Sequence, residues 1–304
     1  MDLDDLDVPP ATLFLLWAAR ETGALDALAR EADTPAEVAA AADVDERAAD
    51  LLVAALDRAG FLERVDGAHE PTNRLLGFLA AADLRSVGRL PDALDAVSAL
   101  AALPETMATG DPPESGDCHR RLGARAATDE ATVRAVATAA VRQAPDANRV
   151  LDVRGAPGHY ARAMAHLGRD VTLADRQPAI ARSRPLLAPT DVEVVAVDAD
   201  DPLPDADLVF AGDATRRLSP AAAAPFVDRL ATAAAPSGTV VVADLVWERA
   251  ARAVPAAVTA YARDGGTVHG EAAFAEWFAA AGLGDPEIRD VPGTDRQVVV
   301  GNLV

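Results

Sequence analysis

The chain has 304 residues, half of them apolar, enough for a large core or two domains without covalent staples. Its one cysteine, Cys118, excludes an intrachain disulfide, and no CxxC or histidine-rich cluster suggests a structural metal. The net charge of −20 argues against nucleic acid and anionic membranes as partners.

The opening MDLDDLDVPP is acidic and lacks the basic start and apolar run of a signal peptide. No apolar stretch reaches about 18 residues, so no membrane span is expected, and the single cysteine fits a cytoplasmic setting. Residues 11–30 predict one or two amphipathic helices with a break at Gly23. Thr34 then caps a short helix, 35–41, with Pro35 at its first position. A turn at Asp43–Val44 leads to a helix over 45–59, with Leu51, Leu52, Ala55 and Leu56 on one face and Gly60 as its stop. Residues 61–72 predict a hairpin around Asp66–Gly67. Helix, turn, helix and hairpin make a winged helix. Its second helix carries Asp45, Glu46, Asp50 and Asp57 against Arg47 and Arg58, a poor face for phosphates.

Residues 83–145 predict helices, with a loop at 109–117. Strands and helices then alternate: strands at 149–153, 170–175, 192–198, 206–212 and 237–246, helices at 158–167, 178–187, 219–235 and 271–281. Two closing strands, 288–292 and 296–303, form a hairpin. Apolar strands alternating with helices imply a mostly parallel, doubly wound α/β sheet of Rossmann type, here with an antiparallel C-terminal hairpin and an all-α, winged-helix domain in front.

In such a sheet, ligands bind at the carboxyl ends of the strands, where the strand order reverses. The first strand ends at Asp152 and runs into Arg154, Gly155, Ala156, Pro157 and Gly158. Gly155 and Gly158 allow backbone to approach a ligand closely. Asp175 ends the second strand, placed to accept both hydroxyls of a ribose. Asp198, with Asp200 beside it, ends the third, placed to accept from the amine of an adenine. The order of loop, ribose acid and adenine acid fits a nucleoside cofactor. The loop does not match the GxGxxG that a dinucleotide wants.

VLDVRGAPGHYA, with LAD, AVDAD and the closing strands, resembles the class I S-adenosylmethionine-dependent methyltransferases. LWAARETGALDAL, the 34–63 stretch, HEPTNRLL, the linker LPDALDAVSALAALPETMATGDPP and the closing AEWFAAAGLGDPEIRDV look like the two-domain O-methyltransferases of the hydroxyindole and caffeate type. The resemblance implies a dimerisation domain at 1–82, a helical linker at 83–146 and a methyltransferase domain at 147–304. It also implies S-adenosyl-L-methionine as cofactor, bound through Asp152, Gly155, Gly158, Asp175 and Asp198, a homodimer and a small-molecule acceptor.

Two departures stand out. Arg154 and Ala156 replace the first two glycines of the family loop, and Arg154 is strained if its position needs a positive φ. The family's general-base histidine aligns with Arg216, with Arg217 and Leu218 after it, and arginine cannot act as a base at neutral pH. Asp213, Asp244 and Glu248 are the substitutes within reach by sequence, and His159 opens the helix after the loop; a capping or exposed histidine is its plainer role. Trp247 reads as core, interface or acceptor wall. Three function classes stay open: an S-adenosylmethionine-dependent methyltransferase acting on a hydroxyl oxygen, a catalytically inactive binding or regulatory module, and a DNA-binding regulator.

All 28 basic residues are arginine, and aspartate exceeds glutamate 34 to 14. This acidity resembles proteins of halophilic archaea, where molar salt screens like charges. A GC-rich genome would explain the arginines but not the acid.

Overall fold

A computed structural model describes residues 8–76, 84–113 and 116–303. The expected domain boundary at 82/83 lies outside the described residues.

Two helices open the chain, α1 (Pro10–Glu21) and α2 (Ala24–Arg30), and Gly23 breaks them at φ 81°. Next come α3 (Pro35–Ala42) and α4 (Glu46–Arg58), then the strands β1 (Leu62–Val65) and β2 (Ala68–Pro71), paired antiparallel. Thr34 closes a capping box on α3: its hydroxyl accepts from Glu37 N–H, and the Glu37 carboxylate accepts from Thr34 N–H. Asp45 caps α4 through the amides of Arg47 and Ala48. One sequence expectation fails here. Leu51 is 63% exposed, and Val53 is buried in its place beside Ala49, Leu52 and Leu56. The inward stripe of α4 therefore runs one position off the predicted one.

Short helices α5 (Asn73–Leu76) and α6 (Leu84–Val87) lead to α7 (Leu90–Ala101), α8 (Leu103–Thr109), α9 (Cys118–Ala126) and α10 (Glu130–Val141). Helix α7 is buried on two sides. Ala93, Leu94 and Val97 join the core of α1–α4 and the hairpin. Asp92 and Asp95 point to arginines of other elements: Asp92 to Arg263, Asp95 to Arg20 and Arg120.

The sheet begins with β3 (Arg149–Val153), α11 (His159–His166), β4 (Asp170–Asp175), α12 (Gln177–Leu187) and β5 (Glu193–Ala196). It continues with β6 (Ala206–Gly212), α13 (Pro220–Thr232), β7 (Ala234–Asp244), α14 (Ala253–Asp264), α15 (Glu271–Ala280), β8 (Glu287–Asp290) and β9 (Gln297–Asn302). Strand order is β5-β4-β3-β6-β7-β9-β8. The first five strands are parallel; β9 enters antiparallel between β7 and β8. The fold is thus a mostly parallel α/β sheet with an antiparallel C-terminal hairpin, as the sequence predicts.

Helices cover both faces. Phe226, Val227 and Leu230 of α13 and Phe274, Trp277 and Phe278 of α15 pack on Leu151, Val209 and Val242. Val133 and Val136 of α10 and Tyr160 and Met164 of α11 pack on Val150, Phe210 and Val241. Successive residues of one strand feed opposite cores, as a sheet buried on both faces requires. Helix α14 escapes the sequence reading. Val254 and Val258 stay outside at 59% and 42% exposure, and small alanines make most of its contact, so no apolar stripe marks it.

Chain order runs outward from β3 to β5, then returns to β6 and β7. The reversal falls between β3 and β6, which opens a crevice at their carboxyl ends.

Candidate functional site

The loop leaving β3 is tightly folded over Asp152. This residue is fully buried, and neither carboxylate oxygen makes a hydrogen bond among the described residues. A Cβ on Gly155 would stand 2.3 Å from its carboxylate, so only glycine lets the loop lie this close. Burial pushes the Asp152 carboxyl up to about 7; Arg125 and, more weakly, the nearby Ala161 amide oppose this, and Asp175 adds to it. Gly158 begins α11 at φ 95°, where a side chain would also strike Leu187 at 2.7 Å.

Arg154 does sit in the left-handed region, at φ 56°. That conformation costs a non-glycine residue roughly 1–2 kcal/mol. Its guanidinium carbon lies 5.1 Å from the centre of the Phe226 ring, a cation–π distance. Ala156 stays outside the left-handed region and is fully buried.

Asp175 ends β4 as predicted, nearly buried. One oxygen accepts from Ala156 N–H at 3.1 Å and the other from Arg176 N–H at 2.8 Å. A carboxylate has about four acceptor positions, so each oxygen keeps a lone pair. Asp198 is less well placed than expected. β5 stops at Ala196, and Asp198 stands exposed in a turn, its amide bonded to Asp201 and its carbonyl to Arg229. The structure gathers Asp152, Gly155, Gly158 and Asp175 at the crevice and leaves Asp198 at its open edge.

The rim after β6 and β7 corrects the search for a base. Arg216, in the expected histidine position, bridges Asp213 at 2.7 Å and Asp244 at closer range. Arg296, just before β9, adds a second guanidinium to Asp213 at 2.9 and 3.3 Å, and the Tyr160 hydroxyl donates to it at 2.8 Å. Burial alone would raise the Asp213 carboxyl, but Arg296 and Arg216 outweigh it and hold it well below the usual range. Asp213 is therefore an anchored anion and not a base. Asp244 is spent on Thr215, Leu245 and Arg216. Glu248 accepts from Glu271 N–H at 3.0 Å and so caps α15. Asp213 and Asp244 are thus both held by arginine, whereas Glu248 stays exposed at the surface.

His159 is half-buried against Tyr160, with ring centres 4.1 Å apart, and both its nitrogens are shielded and without a partner among the described residues. Burial and the cation of Arg125 push it down to about 3, so it is neutral and weakly basic. This overturns the plainer expectation of a capping or exposed side chain. His269 is structural: its Nε2 reaches the carbonyls of Thr215 and Leu218, each at 3.1 Å, and must donate there. Trp247 is 45% exposed and is no core residue.

Beside this rim lies a cavity of about 280 Å³, lined by eight arginines against four aspartates. Sequence reasoning missed it. Its signal was faint but present: Arg120, Arg121 and Arg125 fall within one nine-residue helix of an acidic chain. Arg125 spans the crevice itself, donating to the carbonyls of Arg154 at 3.1 Å and Gly212 at 3.3 Å.

The whole chain aligns with solved O-methyltransferases. Human N-acetylserotonin methyltransferase, solved with S-adenosylmethionine, matches at 18% identity and TM-score 0.64, over 96% of this chain and 94% of that one. Mitomycin 7-O-methyltransferase matches at 19% and 0.68, again over 96% and 94%. An O-methyltransferase of neocarzinostatin biosynthesis, solved with S-adenosylmethionine and 2-hydroxy-5-methyl naphthoic acid, matches at 19% and 0.62, over 97% of each chain.

The fold is that of the O-methyltransferases.

No family model and no curated protein matches the sequence. The O-methyltransferase fold places the crevice between β3 and β6 beside the helical layer of α7, α9 and α14, and both meet at Arg125. No helix among the described residues is long and apolar enough to cross a membrane.

Proposed function

We propose that this chain binds S-adenosyl-L-methionine in the crevice between β3 and β6 and transfers its methyl group to an oxygen of a small molecule. The observation that carries the reading is the orphaned carboxylate of Asp152, buried under a glycine loop one strand away from Asp175. A buried carboxyl without a close donor is held as the anion only by a cationic or hydrogen-bonding partner. A nucleoside with an ammonium group and a ribose diol fits this pair. Asp152 and the amides of the loop would hold the amino-acid end, the spare lone pairs of Asp175 the ribose, and Asp198 the adenine side. The cofactor would supply a methyl group already activated on a sulfonium. The chain's own work is then alignment of the acceptor and exclusion of water.

A second reading rests on Arg154. Its guanidinium lies over Phe226, and Asp175 already holds the loop amide of Ala156. A closed loop of that kind suits a binding module without catalysis. Calorimetric titration of S-adenosylhomocysteine into the folded protein in molar KCl separates the two. The transfer reading expects micromolar binding, and at least tenfold tighter binding by Arg154→Gly, which removes both strain and bulk. Silence from wild type and variant alike leaves the module.

The remaining assignments are also proposals: homodimerisation through the N-terminal helices, supported by exposed Phe14 and Leu51, and a cytoplasm of high salt, supported by the lysine-free acidic composition.

A further inference from the structure

The cavity inverts the charge of the molecule. A chain of net charge −20 places eight of its 28 arginines around one space of about 280 Å³, with four aspartates to balance them. Those aspartates are committed. Asp92 takes Arg263 in a bidentate pair. Asp213 takes Arg216 and Arg296. Asp264 takes Arg121 at 2.7 Å and stands 3.7 Å from Arg217. Asp129 caps α10 through Thr132 N–H. Among the described residues Arg125 is bonded only to backbone carbonyls.

Two guanidinium donors are left over. Arg121 Nη2 and Arg125 Nε are both shielded from solvent and find no acceptor among the described residues. They belong to residues four apart on α9, hence to one face of that helix, one turn apart. An unpaired buried N–H of a charged group costs more than a neutral one, so the pair asks for an anionic acceptor. The neighbours agree: burial, reinforced by Arg121, pushes the Arg217 guanidinium down to about 9. The rest of the wall is apolar at Ala124, Leu245, Ala256 and Ala260 and hydroxylic at Thr128, Thr132 and Thr259. A bare inorganic anion has nothing to set against the apolar part of that wall, whereas an organic acid has its carbon body.

The second observation is the missing base. Asp213 and Asp244 are engaged, Arg216 cannot take a proton, His159 is a weak base, and Glu248 does not line the cavity. An aliphatic hydroxyl acceptor would need proton removal; a carboxylate would not.

We infer that the arginine-lined cavity binds a small organic carboxylate with an apolar body, and that this carboxylate is the methyl acceptor. The inference rests on the methyl-transfer reading for its chemistry but not for its binding site. A carboxylate oxygen forms the new C–O bond, the C–S⁺ bond breaks, and its electron pair goes to sulfur. The products are a methyl ester and S-adenosylhomocysteine, and no proton moves.

The test is calorimetric titration of the folded protein, at fixed ionic strength, with potassium benzoate, benzyl alcohol and inorganic phosphate in separate runs. Benzoate is expected to bind below 1 mM (about −4 kcal/mol or better) and benzyl alcohol to be silent. Arg121→Gln and Arg125→Gln are each expected to weaken benzoate at least tenfold while keeping the wild-type circular dichroism. Silence of the wild type toward benzoate would overturn the proposal whatever the variants do. So would binding of phosphate in preference to benzoate, or benzoate binding unchanged in both variants. S-adenosylhomocysteine, titrated alone, keeps the two readings apart. Benzoate binding with that titration silent supports the anion site and removes the transfer reading. The reverse pattern removes the anion site alone.

Discussion

Asp152 holds a carboxyl in full burial, with no close hydrogen bond among the described residues, directly beneath a loop that only glycine permits. Its folded value, about 7, lies above the ordinary aspartate value near 4. Between those values the unfolded chain releases its proton and the folded chain keeps it. Stability from this group is therefore present below pH 4 and is lost as pH rises to about 7. Asp152→Asn keeps the shape and removes the titration. Thermal melts from pH 4 to 8 should show the wild type losing on the order of a few kcal/mol relative to the variant. Parallel curves would mean that Asp152 is already ionised and solvated. Arg154 breaks a local rule too, accepting φ 56° where the loop pattern predicts glycine, and Asp213 on the rim does the same at φ 54°. Such violations concentrate at functional sites.

Helix α14 is joined to α7 by the bidentate pair of Arg263 and Asp92, at 3.1 and 2.5 Å, both residues buried. Burial raises the Asp92 carboxyl, and Arg263 more than reverses it. Removing one partner strands a buried charge, which costs about 3–5 kcal/mol, more than most single contacts. Arg263→Ala should lower the urea midpoint accordingly. Arg263→Met with Asp92→Leu should recover most of the loss, because two apolar groups need no partner. If the double variant is as weak as the single one, the pair contributes geometry that packing cannot replace. α14 also explains why the cavity escaped notice. It supplies Arg263 and Asp264, yet its sequence has no apolar stripe to announce a helix.

Across the molecule, the N-terminal helices leave apolar side chains uncovered. Phe14 on α1 is 55% exposed and Leu51 on α4 63%. If these helices form the proposed dimer interface, Phe14→Glu with Leu51→Glu should halve the mass seen by light scattering in molar KCl. Unchanged mass would move the interface elsewhere. The burial of Val53 in place of Leu51 belongs to the same account, since a leucine turned outward gains nothing unless another surface meets it.

Much was readable in order of residues alone. The strands at 149–153, 170–175 and 206–212 fall where alternating or continuous apolar runs put them, because those patterns depend on neighbours a few residues away. Thr34, Asp45, Gly23 and Gly60 punctuate the first helices for equally local reasons. Asp152, Gly155, Gly158 and Asp175 were legible because a parallel sheet brings strand ends together in a fixed way. Tertiary structure decided the rest. It took Asp213 and Asp244 out of contention by pairing each with an arginine from a distant segment, and it left Asp198 beyond a strand that stops two residues early. It also drew arginines from α9, the turn after β6, α14 and the approach to β9 into one cavity. Charge neutralisation depends on distance in space, which sequence spacing does not encode, so the chemistry of the rim could be known only once the chain was folded.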